Sequence, residues 1–415
     1  MSRQEKNVRR AAVSVLRAWN KGHQYADSLV DNHARRNQLS TSDRALLNAL
    51  TLAVLRHRRL LDYYISRIRK GKLDHETRDI LRVGLAQILI LNIPEHAAVN
   101  ETVNCGRAPV RGLINAVLRR ALDQHKNLHS EAEELPPAER LSHPDWLAKR
   151  WRRQFGKADT TTLMEWNNQP APTYLRLNSL KAQSSELADH PELTACEQAP
   201  NFFFFEGPIP RDWINEGLVY AQDIATRHCV DLLAPQAGET ILDACAAPGG
   251  KAALIAAAMN NEGNLVCTDA NEKRLPRLEE NLTRLGVTMT EVKEWDWTKA
   301  PPEEWHQHFD AILLDVPCSN TGVLRRRVDA RWRLKPEQFE ELVILQRSIL
   351  TNALACLKSG GRLVYSTCSI DEEENLDLIK TFAAENNLEV GNTHQSLPHT
   401  EGEDGAFAAI LKKKP

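Results

Sequence analysis

Two cysteines carry the chemistry that this chain announces. Cys318 stands in Asp315-Val316-Pro317-Cys318-Ser319 and Cys368 in Tyr365-Ser366-Thr367-Cys368-Ser369. Each follows an apolar run, over 309–314 and 361–364, at the point where the run breaks. In an open α/β sheet, the carboxyl ends of strands are where ligands and reacting groups gather. One cysteine there reads equally well as a small buried hydrophobe. Two on neighbouring segments, downstream of a glycine-rich loop, point to an enzyme that bonds covalently to its substrate through a thiolate.

The glycine-rich loop is Asp243-Ala244-Cys245-Ala246-Ala247-Pro248-Gly249-Gly250-Lys251. Its small residues let backbone amides approach a ligand, and the helix that follows offers unpaired amides to an anionic group. The loop is neither GxxxxGK[ST] nor GxGxxG, and alone it is no more than a tight strand-to-helix turn. The acids give it direction. Asp269 closes the next strand, near the spacing at which a Rossmann acid meets a ribose. Asp296 follows a third strand, and Asp315 ends a fourth. Four acids at successive strand ends suit a cationic ligand better than a pyrophosphate, and the donor inferred is S-adenosyl-L-methionine. Lys251 reads either as part of this site or as a surface lysine at a helix start. Cys245, Cys267 and Cys356 read as packing thiols.

The elements that must position these residues follow from periodicity. Apolar positions recur at helical spacing at Val8, Ala11, Ala12, Val15, Leu16 and Trp19, again over 46–55, over 80–89 and over 110–122. Ser42-Asp43 is read as the N-cap of the second run. Residues 1–125 are therefore expected to be an all-α domain, and the polar, proline-containing stretch 126–143 a linker. Residues 144–215 read as a small α+β subdomain, with strands at 174–178 and 202–205. Residues 216–415 alternate strands (239–243, 264–269, 290–293, 311–314, 362–365) with helices. That order implies an α/β fold with a mostly parallel sheet and helices on both faces.

Composition sets the remaining bounds. The chain has 415 residues, enough for two or three domains, and a net charge of -2. Residues 1–130 carry 23 Lys+Arg against 11 Asp+Glu, a balance of +12, so the rest carries -14. A basic module joined to an acidic one is a footprint of nucleic-acid binding, or a solvated arginine-rich surface. Arg119 and Arg120 on the last helix are candidate RNA contacts. So are Arg325, Arg326 and Arg331 in the cluster 325–333, where Trp332 adds an aromatic that a base could stack on. No apolar run reaches the roughly 20 residues of a membrane span. The start, with Arg3, Lys6, Arg9 and Arg10, is followed by no continuous apolar core, so no secretory signal is expected. The eight cysteines form no CxxC pair and no zinc-ligand spacing, so the expectation is free thiols in the cytoplasm and no metal.

At the strings 243–251, 315–322 and 365–369, the last followed by Glu372, Glu373 and Asn375, residues ~144–412 resemble the RNA cytosine-5 methyltransferases of the Nol1/Nop2/Sun family. The stretches 94–101 and 112–119 look like a NusB-like RNA-binding domain. Together these imply a Rossmann-like methyltransferase domain behind a NusB-like one, acting as a monomer on a single cytosine of 16S rRNA or a small-subunit assembly intermediate. By the resemblance, Cys368 is the nucleophile at cytosine carbon 6, and Cys318 assists removal of the carbon-5 proton and enzyme release. Asp315 holds the base edge and the neighbourhood of the donor. Residues Cys245, Ala246, Ala247, Pro248, Gly249, Gly250 and Lys251 hold the methionine part, with Asp269 at the ribose and Asp296 at the adenine. Two alternatives stay open: a tRNA cytosine-5 methyltransferase sharing the same residues, and a non-catalytic RNA-binding or antitermination factor. The chain departs from the family pattern at Val316, at Arg327-Val328-Asp329 and at Ala406.

Overall fold

The computed structural model describes residues 7–22, 24–181, 186–187 and 189–413. Arg3 and Lys6 lie outside the described residues. The chain divides into two compact units, one of residues 1–169 with 327–334, the other of 170–326 with 335–415.

The first unit is helical throughout its described regular elements, in succession Val8–Trp19, Ala26–Arg36, Thr41–Arg56, Arg58–Ile68, His75–Leu89, Glu95–Val103, Ala108–Asp123, His125–Glu133, Pro137–Arg140 and Asp145–Asn167. Side-chain caps start three of them: Asn7, Ser40 and Asp74 accept from the first-turn amides, each contributing about 1 kcal/mol. The cap of the third helix is thus Ser40 rather than Ser42-Asp43. His75–Leu89 runs through the centre and buries every residue from Asp79 to Leu89. Its polar members are answered internally. Arg82 pairs with Asp62 at 2.6 Å and Asp79 at 2.8 Å, and Gln87 bonds Thr102 at 2.9 Å. The stretch 126–143 is no linker. It forms two helices, and Leu128 and Ala132 enter the same core. Those two apolar positions, four apart, are what the polar composition hides.

The second unit contains two sheets. The smaller is antiparallel, ordered β2-β3-β1-β4, from β1 (Thr173–Leu177), β2 (Leu193–Ala195), β3 (Phe202–Phe205) and β4 (Val219–Ala221). Because β4 pairs with β1, the small sheet extends past the expected boundary at 215. The larger sheet comprises β5 (Thr240–Asp243), β6 (Asn264–Asp269), β7 (Thr290–Glu294), β8 (Phe309–Asp315), β9 (Leu357–Thr367), β10 (Glu389–Ser396) and β11 (Ala406–Lys412), ordered β10-β11-β9-β8-β5-β6-β7. Strands β7-β6-β5-β8-β9 pair in parallel, and β11 and β10 add antiparallel. Alternate residues serve opposite faces. Ala311, Leu313 and Val364 meet one core beneath the helices His228–Leu233, Gly250–Ala258 and Leu275–Arg284. Ile312, Leu314, Leu363 and Tyr365 meet the other, beneath Gln338–Ala355 and Leu376–Glu385. The α/β expectation holds, and the final antiparallel pair is additional to it.

Candidate active site

The strand order brings four chain exits side by side. Strands β9, β8, β5 and β6 are neighbours and run in parallel, so Cys368, Asp315, Asp243 and Asp269 leave the sheet along one edge. Strands β8 and β9 pair with Asp315 opposite Ser366. The two cysteine loops therefore begin at the same level. Cys318 Sγ and Cys368 Sγ lie 3.3 Å apart, both half-buried, and Cys368 Sγ is 3.4 Å from Asn320 Oδ1. The hydrogen bond to Cys368, followed by burial, holds the Cys318 thiol well above its ordinary pKa, so Cys318 keeps its proton.

Both loops are anchored by one buried carboxylate that the sequence reading did not single out. Glu374 accepts from Ser319 N at 2.9 Å, from Ser319 Oγ, from Ser369 Oγ at 2.7 Å and from Gln346 Nε2 at 2.8 Å. Ser319 and Ser369 each follow a cysteine. Thr321 adds a second tie through Asp371 Oδ2 at 2.6 Å, and Asn375 a third through Ser369 O at 2.9 Å. Gly322 completes the arrangement by close approach. Its amide donates to Cys368 O at 3.0 Å, and a Cβ on it would lie 2.6 Å from Gly405 O. The only sequence signal for Glu374 is its place in the acid run 371–374.

Lys251 is not a surface lysine. Its Nζ contacts Asp315 Oδ2 at 2.6 Å. Burial opposes the charge, but Asp315 and the nearby Cys229 and Cys368 more than offset it, so the ammonium is retained. Asp243 is fully buried, and neither of its oxygens has a well-formed hydrogen bond. Burial and the Asp315 charge push it up to about 7, against the pull of Lys251. Asp269 Oδ1 accepts from Asn271 N at 3.0 Å, and Oδ2 lies 3.0 Å from Arg274 Nη1. Asp296 lies beyond β7 with Oδ1 bound to Thr298 N at 3.0 Å and Thr298 Oγ1 at 2.7 Å. The glycines of the loop serve its shape as well as access. Gly249 adopts φ 103°, and a Cβ on Gly250 would lie 2.9 Å from Tyr220 Cε1. Ala246 and Ala247 pack into the core, Pro248 O accepts from Asn281 Nδ2 at 2.8 Å, and burial raises the Cys245 thiol.

The arginine cluster 325–333 does not form an open rim. Arg325 bonds Pro170 O at 2.6 Å, and Arg326 is clamped between Asp223 and Asp404 at 2.6 Å each. Arg331 is 0% exposed and donates to Asn168 Oδ1 at 2.8 Å and Asn167 O at 3.0 Å inside the helical unit. Burial lowers it to about 9. Trp332 Nε1 donates to Leu55 O at 2.7 Å, and Asp329 accepts from Trp19 Nε1 and Ala26 N. Residues 327–334 are thus core and clasp of the first unit, occupied by partners that periodicity could not show. Arg119 and Arg120 are exposed, as expected. The sequence reading missed a basic cleft of about 420 Å³ lined by Arg10, Arg17, Arg107 and Arg111 in the same unit.

A doubly wound sheet, parallel over five of its seven strands, with acids at the ends of β8, β5 and β6 is the architecture of an S-adenosyl-L-methionine-dependent methyltransferase. Comparisons with known proteins agree. Residues 230–412 match the model "16S rRNA methyltransferase RsmB/F", residues 6–123 the NusB family, and residues 143–195 an RsmF/B-like ferredoxin-like domain. The ribosomal RNA small subunit methyltransferase B of Shigella sonnei is 39% identical, over 91% of this chain and 92% of that protein. The crystal structure of PH0851 covers 100% of both chains at 25% identity and a TM-score of 0.78. A methyltransferase homologue from Pyrococcus horikoshii covers 67% of this chain and 97% of its own at 27% identity and a TM-score of 0.59. The chain belongs to the ribosomal RNA small subunit methyltransferase B family and is a 16S rRNA methyltransferase. Among the described residues, no helix is long and apolar enough to cross a membrane.

Proposed function

We propose that the methyl group is placed on carbon 5 of a cytosine in 16S rRNA through a covalent adduct of Cys368 with carbon 6. The observation that carries this reading is the pair of thiols 3.3 Å apart at adjacent strand ends. Carbon 5 of cytosine is a poor nucleophile. Addition of a thiolate at carbon 6 turns it into the carbon of an enamine, and thiolate is the side chain best suited to such attack. Cys368 adds as a thiolate facing the Lys251 ammonium, with the Cys318 thiol donating a hydrogen bond to it. Asp315, held by Lys251, meets the N3/N4 edge of a base turned out of its RNA stack.

S-adenosyl-L-methionine supplies the methyl group as a sulfonium. The site fits it: the fully buried Asp243 carboxyl, with no well-formed hydrogen bond, suits a polar or cationic partner, and Asp269 stands at the strand end suited to ribose hydroxyls. Residues 245–251 border the methionine part and Asp296 the adenine. Release requires loss of the carbon-5 proton and cleavage of the carbon-6–sulfur bond. Once Cys368 is bonded to carbon 6 it no longer carries the charge that holds the Cys318 proton, so Cys318 can give that proton to solvent and take the one on carbon 5. The helical unit grips the rRNA backbone through Arg119, Arg120 and its basic cleft, on naked 16S rRNA or a small-subunit assembly intermediate, in a cytoplasm that keeps the thiols reduced.

The reading is tested by incubating the protein with methyl-labelled donor and 16S rRNA, then digesting the RNA to nucleosides. Label in 5-methylcytidine is expected. Label in any other nucleoside, or in tRNA but not 16S rRNA, overturns it.

A further inference from the structure

Three ligand-type side chains meet away from the cysteines. His228 begins the helix His228–Leu233, His394 lies on the edge strand β10, and Glu403 sits in the turn leading into β11. They share no spacing motif, which is why the sequence predicts no metal. One ligand atom from each lies within 4.8 Å of the other two. Glu403 Oε1 is 2.8 Å from His228 Nε2 and 3.9 Å from His394 Nε2. The two imidazoles stack, with centroids 3.6 Å apart and planes at 24°.

Glu403 is the shared partner of both rings, hydrogen-bonded to His228 and at ion-pair distance from His394. His394 Nε2 is shielded from solvent and reaches Glu403 only at 3.9 Å, while its ring is held face to face with the His228 imidazole. Two imidazoles and a carboxylate whose ligand atoms gather within 4.8 Å of one another are the donor set of zinc and its neighbours. Around a tetrahedral ion with bonds of about 2.0–2.1 Å, ligand atoms stand roughly 3.4 Å apart. The two measured separations straddle that value, and because an imidazole lone pair lies in the ring plane, one ring would turn out of the stack to aim at the ion.

We infer that His228, His394 and Glu403 bind a divalent transition ion of the zinc type, with a coordination position left to water. The place of the site suggests what the ion secures. Asp404, next to Glu403, clamps Arg326 with Asp223. Gly405 N donates to Gly322 O at 2.9 Å, and Gly322 N donates to Cys368 O. An ion on Glu403 anchors the strap that backs the cysteine loops.

Titration of the metal-free full chain with Co2+, followed by Zn2+ competition, tests this. One Co2+ per chain is expected, with visible d–d bands and no near-ultraviolet thiolate charge-transfer band. Glu403→Gln and His394→Asn should each lose the bound ion, while a Cys318→Ser/Cys368→Ser double variant keeps it. Circular dichroism establishes that each variant is folded. No Co2+ bound by the wild type would leave only an ion pair and overturn the site. So would binding that survives both Glu403→Gln and His394→Asn, or a charge-transfer band that vanishes with the cysteines. The wild-type stoichiometry and spectrum decide the matter even if a variant does not fold.

Discussion

Cys318 Sγ and Cys368 Sγ lie 3.3 Å apart although 50 residues separate them in the chain. The parallel pairing of β8 with β9 sets both loops at one level, and Glu374 then ties the serine after each cysteine to the same carboxylate. The sulfurs are placed by sheet register and by a buried polar network together.

The two thiols should fail differently. Cys368→Ala removes the attacking group, so methyl transfer and any RNA adduct should both vanish. Cys318→Ala leaves attack possible but slows release, so protein cross-linked to RNA should appear as a shifted band on a denaturing gel. An adduct formed by the Cys368 variant and not by the Cys318 variant would reverse the two roles.

Glu374→Ala should destabilise the second unit by about 3 kcal/mol, because it strands several buried donors at once. Urea unfolding measures that loss. The catalytic turnover should fall much more than the affinity for donor, since both cysteine loops lose their anchor. Unchanged turnover would mean that the strand ends alone fix the sulfurs.

Asp243 couples stability to pH. Its folded-state pKa of about 7 lies above the ordinary carboxylate value. The folded state therefore holds a proton that the unfolded chain releases near pH 4. Its contribution is fully present below about pH 4 and is lost as pH rises through about 7. Asp243→Asn should abolish that fall, with a difference from wild type of at most about 4 kcal/mol at pH 8. Parallel stability curves for the two proteins between pH 4 and 8 would remove Asp243 as the source.

Asp269→Ala should weaken S-adenosyl-L-methionine binding strongly in calorimetry while thermal unfolding stays near wild type. Its carboxylate makes one local hydrogen bond and one contact with a half-exposed arginine, so little else depends on it. An unaltered affinity would take Asp269 out of the donor site.

RNA binding by the helical unit is better probed by point changes than by truncation. Removing residues 1–169 would strip the partners of Asp329, Arg331 and Trp332. Arg107→Ala and Arg119→Ala should each lower 16S rRNA affinity at all salt concentrations. Each should also reduce the slope of log affinity against log salt by about one if it meets one phosphate. Filter binding across a salt series measures both effects, and slopes equal to wild type would place the RNA elsewhere.

Much of this molecule was legible along the chain because it is local. Short continuous apolar runs placed β5, β6 and β8, and a strand that breaks at Asp-Val-Pro-Cys-Ser or Ser-Thr-Cys-Ser marks its own exit loop. The acids at 243, 269 and 315 could be ordered for the same reason. Tertiary structure decided what depends on partners far away in sequence. Arg325, Arg326 and Arg331 look alike as a string, yet Asp223, Asp404 and the carbonyls of 167 and 170 occupy their donors. Lys251 becomes a buried partner of Asp315, and Glu374, one acid in a run of four, becomes the anchor of both cysteine loops. Periodicity reports which face of an element is buried. It does not report which buried polar group will find which partner, and desolvation makes that pairing decisive.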